Sequence, residues 1–178
     1  NTLSRAILHK HWWVNDPDCL MIRPSSELTL PEVQSMVSLV ALAGGSLLLS
    51  DNLPALPSDQ LEIVKALLPP IGKRAQVLDW LDSSEPSRIK LDLSGSVGTW
   101  SLMAMINWKD HPESLTFTPE GFQLTPDQTY WLREFWTGEI GQMSNDSPFT
   151  ARDVPAHGVR VLAIHPYEPE QPAYLGSD

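Results

Sequence analysis

The chain of 178 residues contains a single cysteine, Cys19. That excludes an internal disulfide framework and a structural zinc site of the multi-cysteine type. Such scarcity fits a reducing compartment, and a cytoplasmic location is the expectation. Positive charge is also short: 12 Lys and Arg stand against 22 Asp and Glu, a net charge of −10, and no basic cluster occurs. Phosphate binding needs clustered Lys and Arg, so neither nucleic acid nor an anionic membrane is an expected partner. No apolar run approaches the roughly 20 residues of a membrane-spanning helix. No secretory signal is visible, although a chain beginning at Asn1 gives that little weight. Internal repeats and low-complexity tracts are missing too. The 42% hydrophobic and 19% charged residues are those of an ordinary globular protein, enough for one domain or two small ones.

Two rhythms divide the chain. Residues 1–70 read as α/β. Trp12-Trp13-Val14 is expected to form a short buried strand ending at Asn15, after a helix closing near Ala6 to Leu8. Thr29-Leu-Pro-Glu32 has the form of a capping box, and Val33, Met36, Val37 and Val40 follow at helical spacing up to Gly44-Gly45. Ser46-Leu-Leu-Leu49 is the continuous apolar run of a parallel strand. A second helix is expected from Ser58 to the Pro69-Pro70 pair. Residues 71–178 instead carry short, partly alternating runs at 87–93, 99–108, 114–118, 128–136 and 158–165, separated by Gly and Pro. That pattern predicts an antiparallel sandwich. The fold class expected is α/β followed by all-β. Two parallel strands alone would leave unpaired edges, so residues 1–70 read as a segment of a larger sheet or barrel.

The stretch HKHWWVNDPDCLMIR at 9–23 concentrates the chemistry. Asp16 and Asp18 flank Pro17, and two carboxylates after a strand end could face one cleft. Retaining glycosidases hold such a pair roughly 5–5.5 Å apart. Trp12 and Trp13 could offer a flat face to a sugar ring. An Asx-Pro turn, with Asp16 accepting backbone hydrogen bonds and the tryptophans in the core, accounts for the same residues.

Trp13-Val-Asn-Asp-Pro-Asp-Cys-Leu20, then Arg23, Leu42-Ala-Gly-Gly45, Leu49-Ser-Asp-Asn-Leu53 and Leu67-Leu-Pro-Pro70, resembles the α-galactosidases (melibiases) of glycoside hydrolase family 36. The sister family 27 has a similar Asn-Asp-Pro-Asp segment. Ile106-Asn-Trp108, Glu134-Phe-Trp136 and Val154-Pro-Ala-His157 extend the likeness through the second half. The resemblance implies that residues 1–70 are the last units of a (β/α)8 barrel and residues 71–178 a C-terminal β-sandwich domain. It implies a parent enzyme that cleaves terminal α-galactosides with retention. The nucleophile and acid/base aspartates would sit on earlier barrel strands, so no catalytic residue is expected in this chain. Substrate-binding roles are implied for Asp18 and Cys19, with Asp16 holding the turn. The implied partners are the α-galactoside and the remainder of the barrel; a homo-oligomer is compatible with the reading.

Other candidates read more plainly. Asp51 ends the second strand, so it either reaches the barrel mouth or caps a loop. His9 and His11, two residues apart with no further ligand in a compact pattern, are not read as a metal pair. His157 is expected to begin the last strand, while His111 and His165 read as surface or strand-end residues. No metal and no cofactor are expected. Ser50 and Cys19 lack a visible base, and a buried inert thiol is the default for Cys19. The competing functions are a non-catalytic carbohydrate-binding or structural module, and a relative with another α-glycoside specificity. Trp100, Trp108, Trp131 and Trp136 lie within strand-like runs, which argues for core positions over exposed sugar platforms.

Overall fold

The structure, a computed structural model, describes residues 2–96, 98–170 and 172–175. Two compact units divide between Gln76 and Val77, where the sequence places the boundary at 70/71. No helix among the described residues is long and apolar enough to cross a membrane.

The first unit runs α1 (Thr2–Ala6), β1 (Cys19–Leu20), α2 (Leu30–Ala43), β2 (Leu48–Leu49) and α3 (Ser58–Ala66). At the start of α2 the Thr29 N–H donates to Glu32 Oε2 at 2.8 Å, as the capping box requires. Pro31 costs no intrahelical bond in the first turn. Val33, Val37 and Val40 are buried along one stripe. Gly44 ends the helix at φ 71°, a left-handed conformation that a side chain would strain. At Gly45 a Cβ would fall 1.9 Å from the Asn15 carbonyl oxygen, so only glycine fits. The chain then returns as β2, which pairs in parallel with β1 through Cys19↔Leu48 and Leu20↔Leu49. The order β-α-β-α is as expected, but the first strand is not.

Trp12-Trp13-Val14 does not form the expected strand. His9 to Trp13 close a tight turn in which Lys10, at φ 59°, donates its N–H to the Trp13 carbonyl at 2.6 Å. Trp12 is 79% exposed, and Trp13 and Val14 are exposed as well. The burial expected of this run is therefore absent, and the strand begins only after the Asn-Asp-Pro-Asp turn. Two residues of β1 and two of β2 do not make a barrel; their outer edges have no strand partner among the described residues.

The second unit is a β-sandwich. One sheet has six strands in the order β3 (Gln76–Val77), β4 (Arg88–Gly95), β5 (Gly98–Ile106), β10 (Val159–Pro166), β7 (Tyr130–Glu134) and β8 (Ile140–Met143). The pairs β4–β5, β5–β10, β10–β7 and β7–β8 are antiparallel. The other sheet pairs β6 (Glu113–Phe117) with β9 (Phe149–Val154). Between them Met103, Phe117, Phe122, Leu132, Val154, Leu162 and Ile164 form one buried cluster. Cross-strand register puts Met103, Leu162 and Glu134 on one row, so alternate residues of three strands supply the core face.

Strands β8 and β9 escape the sequence pattern. Ile140 and Gln142 are exposed and Gly141 offers no side chain, so the inward face of β8 shows a single apolar residue, Met143. In β9, Phe149 and Ala151 point inward, but a bulge opposite Glu113 and Leu115 breaks the alternation before Val154. The four tryptophans of the strand-like runs are also placed differently from expectation, Trp108 and Trp136 lying beyond the ends of β5 and β7. Trp100, Trp108, Trp131 and Trp136 are all half-buried, and none belongs to the central cluster.

Candidate functional site

Asn15 organises the turn that carries the two aspartates. It is buried, and its Nδ2 donates to the carbonyls of Ala43 at 3.2 Å and Ala6 at 3.4 Å, while its Oδ1 accepts the Trp13 indole N–H at 3.0 Å. Its own N–H donates to His9 Nδ1 at 3.0 Å, and its carbonyl accepts from Ser46 N at 2.8 Å. One amide thus joins the ends of α1 and α2 to the segment leading into β2. The sequence reading assigned Asn15 no role; the signal was the glycine pair, which leaves room for its backbone.

His9 serves the same hub. Its Nδ1 accepts the Asn15 N–H, so the neutral ring carries its proton on Nε2. Burial, then the positive charges of Lys10 and Arg74, hold its pKa below 6.5. His9 and His11 lie in a turn: His9 is buried, and exposed His11 meets Arg74 Nη2 at 3.2 Å. No group of three or more metal-ligating side chains occurs among the described residues.

Asp16 and Asp18 are both exposed. Asp16 Oδ1 accepts the Asp18 N–H at 3.3 Å, the Asx turn expected of it. Asp18 sits at φ 77°, a left-handed backbone that Asp tolerates better than most residues. Its Oδ1 accepts the Cys19 N–H at 2.7 Å. The sequence reading put the pair at a strand's exit, whereas here the turn leads into β1. Asp16, Asp18, Arg5, Trp13 and Asn15 line an open cleft of about 400 Å³. Half-buried Cys19 stands beside it and does not line it. Desolvation first, and then the Asp18 carboxylate, raise the thiol pKa, with Asp16 adding to the effect. The thiol stays protonated, so Cys19 is no ready nucleophile.

At the other end of the strand pair the Asp51 side chain is buried. Its Oδ2 accepts the Ile22 N–H at 2.6 Å and its Oδ1 pairs with Arg23 Nη1 at 2.8 Å. It therefore joins the exit of β1 to that of β2 as a loop anchor. Ser50 Oγ donates to the Leu20 carbonyl at 3.0 Å, a structural bond rather than a nucleophile's.

In the sandwich the strings around Asn107, Glu134 and His157 prove to be connectors. Asn107 Nδ2 lies 2.9, 3.1 and 3.0 Å from the carbonyls of His111, Val154 and Pro155, and its Oδ1 accepts from Lys109 N at 2.9 Å. Glu134, also buried, accepts the Val161 N–H at 3.1 Å and the Thr137 N–H. His157 lies in the turn before β10, not at its first residue, and its Nε2 meets Asp110 Oδ1 at 3.0 Å. His165 lies within β10, stacked on Trp100 at 6.3 Å, and burial lowers its pKa.

In fold and sequence the second unit is similar to the C-terminal β-sandwich domain of α-galactosidases. Residues 93–164 match the family described as the alpha galactosidase C-terminal beta sandwich domain. Solved structures agree in fold. α-Galactosidase I from Mortierella vinacea superposes with a TM-score of 0.70 at 16% identity, over 92% of this chain and 42% of that one. The α-galactosidase of Saccharomyces cerevisiae, solved with raffinose, gives 0.70 at 15%, over 93% and 50%. A GH27 β-L-arabinopyranosidase from Geobacillus stearothermophilus gives 0.74 at 13%, over 96% and 41%. This chain spans half or less of the length of each. The resemblance to α-galactosidases holds. Its placing in family 36 is corrected, because the relative described by a family number is of family 27.

Proposed function

We propose that this chain is the closing part of a retaining glycoside hydrolase that cleaves terminal α-galactosides. Residues 1–70 would be the last units of its (β/α)8 barrel, followed by the sandwich. The observation that carries the reading is the Asn-Asp-Pro-Asp-Cys turn, whose Asp18 carboxylate stands exposed on a cleft wall in a chain that continues into an α-galactosidase sandwich. The parallel β1–β2 pair and the exposed Trp12, Trp13 and Val14 support further barrel strands beside them. In this reading Asp18 accepts hydrogen bonds from galactose hydroxyls and adds negative field near the developing oxocarbenium charge. Cys19, which stands beside the cleft, would reach the galactose as a neutral thiol only where further barrel strands complete the pocket. In this reading the nucleophile and the acid/base are carboxylates outside residues 1–178, as the resemblance to α-galactosidases implies.

A sugar-binding module is the second reading, since half-buried Trp100 and Trp131 lie on the sandwich. Trp100 stacks on His165 at 6.3 Å and Trp131 meets Tyr167 edge-on at 5.7 Å, so both rings already have partners. The enzyme reading is the stronger. Full-length protein incubated with an aryl α-galactoside is expected to release galactose first as the α-anomer, followed by NMR, while the isolated 178-residue chain releases none. A full-length protein without turnover on any α-galactoside would remove the proposal.

A further inference from the structure

We propose that His9 is a positioning residue of this same site: its neutral imidazole fixes Asn15, and through Asn15 the turn that presents Asp18 to the cleft. The inference rests on the glycosidase reading above and deepens it. His9 is 2% exposed, and its own N–H ties it to the end of α1, donating to the Ala6 carbonyl at 3.1 Å. Its Nδ1 takes the Asn15 N–H at 3.0 Å. Its Nε2 is buried as well and has no hydrogen-bond partner among the described residues. A buried donor without a partner is a cost that an apolar side chain of similar size avoids. The polar service of this ring is therefore the acceptor it offers to Asn15.

Asn15 passes that service on. It directly precedes Asp16, whose carboxylate accepts the Asp18 N–H, and Asp18 in turn accepts the Cys19 N–H. Asn15, Asp16 and Asp18 line one cleft, so a shift of the first moves the wall that carries the last. A misplacement of about 1 Å can cost a catalytic site about 100-fold. Only the neutral ring can hold Asn15, because a protonated Nδ1 would set a second donor against its N–H. Lys10 and Arg74 are the cations that act on the ring, and both oppose its protonation. The elements around it also bring Arg5 in the last turn of α1, His11, Asp16 and Lys73, while the last turn of α2 carries no ionisable side chain.

The test uses the full-length enzyme and an aryl α-galactoside. His9→Leu fills the space without an acceptor and is expected to lower kcat/KM about tenfold at pH 7. In an Asp18→Asn background the same exchange should cost less than about twofold, because the group it positions has already lost its charge. His9→Asn puts an acceptor on the same γ carbon and should stay within about threefold of the parent. Asn does not titrate, so between pH 7 and pH 5 this variant should lose at least about threefold less activity than the parent. Circular dichroism establishes that each variant is folded. No loss from His9→Leu, the same loss in both backgrounds, or a His9→Asn enzyme as impaired as His9→Leu overturns the assignment and leaves the functional reading standing. Where His9→Leu does not fold, His9→Asn decides: an acid limb identical to the parent's overturns the assignment. Parent enzyme without activity on the galactoside overturns the functional reading and this inference with it.

Discussion

Changing Asp18 to Asn in the full-length protein is expected to lower kcat/KM for an aryl α-galactoside by about 100-fold, a charge-assisted bond's worth of roughly 2–3 kcal/mol. Asn is chosen because the backbone at φ 77° tolerates it, and its side-chain oxygen can still accept the Cys19 N–H. The turn is therefore kept and only the charge is lost. Circular dichroism and the thermal midpoint should match the parent. Asp18→Ala would add the cost of a left-handed alanine, about 1 kcal/mol or more, and mix the two effects. Asp16→Asn is the companion control: its role is the Asx turn, which Asn also makes, so activity should fall by no more than a few-fold. Equal kinetics for Asp18→Asn and parent would take Asp18 out of the sugar pocket.

The second large effect is on stability. Asn107 is buried and faces three carbonyl oxygens with its amide nitrogen. Asn107→Asp preserves shape and replaces the donor by an oxygen. Two donated protons disappear, and a carboxylate is left among acceptors with only the Lys109 N–H to serve it. The expected loss is about 3–5 kcal/mol at neutral pH. Native-state hydrogen exchange reads it locally: Ile106 and Asn107 amides, which donate to Ser87 and Gly158 carbonyls, should exchange at least about 100-fold faster. The pH dependence has a definite sign. Burial among carbonyls raises the folded-state pKa of the new carboxyl above its unfolded value, so the native state binds the proton more readily. Destabilisation is then largest above the folded pKa and shrinks as pH falls through it, because the protonated acid regains one donor. Exchange rates unchanged from the parent would show that the loop is held by other contacts.

The legible parts of the fold were those with local causes. The helix from Leu30 could be read from Thr29, Glu32 and Gly44, since caps and left-handed glycines act within a few residues. Strands β5, β7 and β10 showed their alternation because one face of each meets the core. Trp12 to Val14 misled for a physical reason: apolar side chains predict burial, but the backbone there is bent by a positive-φ Lys10 and by the bonds of His9 and Asn15. Strand β8 carries almost no apolar signal, because only Met143 of its four residues reaches the core. In the candidate site the carboxylates were visible as residue types, and the turn role of Asp16 followed from the Asx-Pro pairing. The parts played by Asn15 and Asp51 were not, because their partners lie 28 and 29 residues away in sequence. Asn107 was recognisable only as part of a family-like string. Its function as a knot between β5 and the loop after β9 depends on tertiary approach.

The most direct measurement is to trap the glycosyl-enzyme. Full-length protein treated with a fluorinated α-galactosyl donor that forms a slowly hydrolysed ester should carry one sugar, located by peptide mass mapping. The account predicts an ester on a carboxylate outside residues 1–178 and unlabelled peptides spanning Asp16 and Asp18. A sugar ester on either of those two aspartates would contradict it.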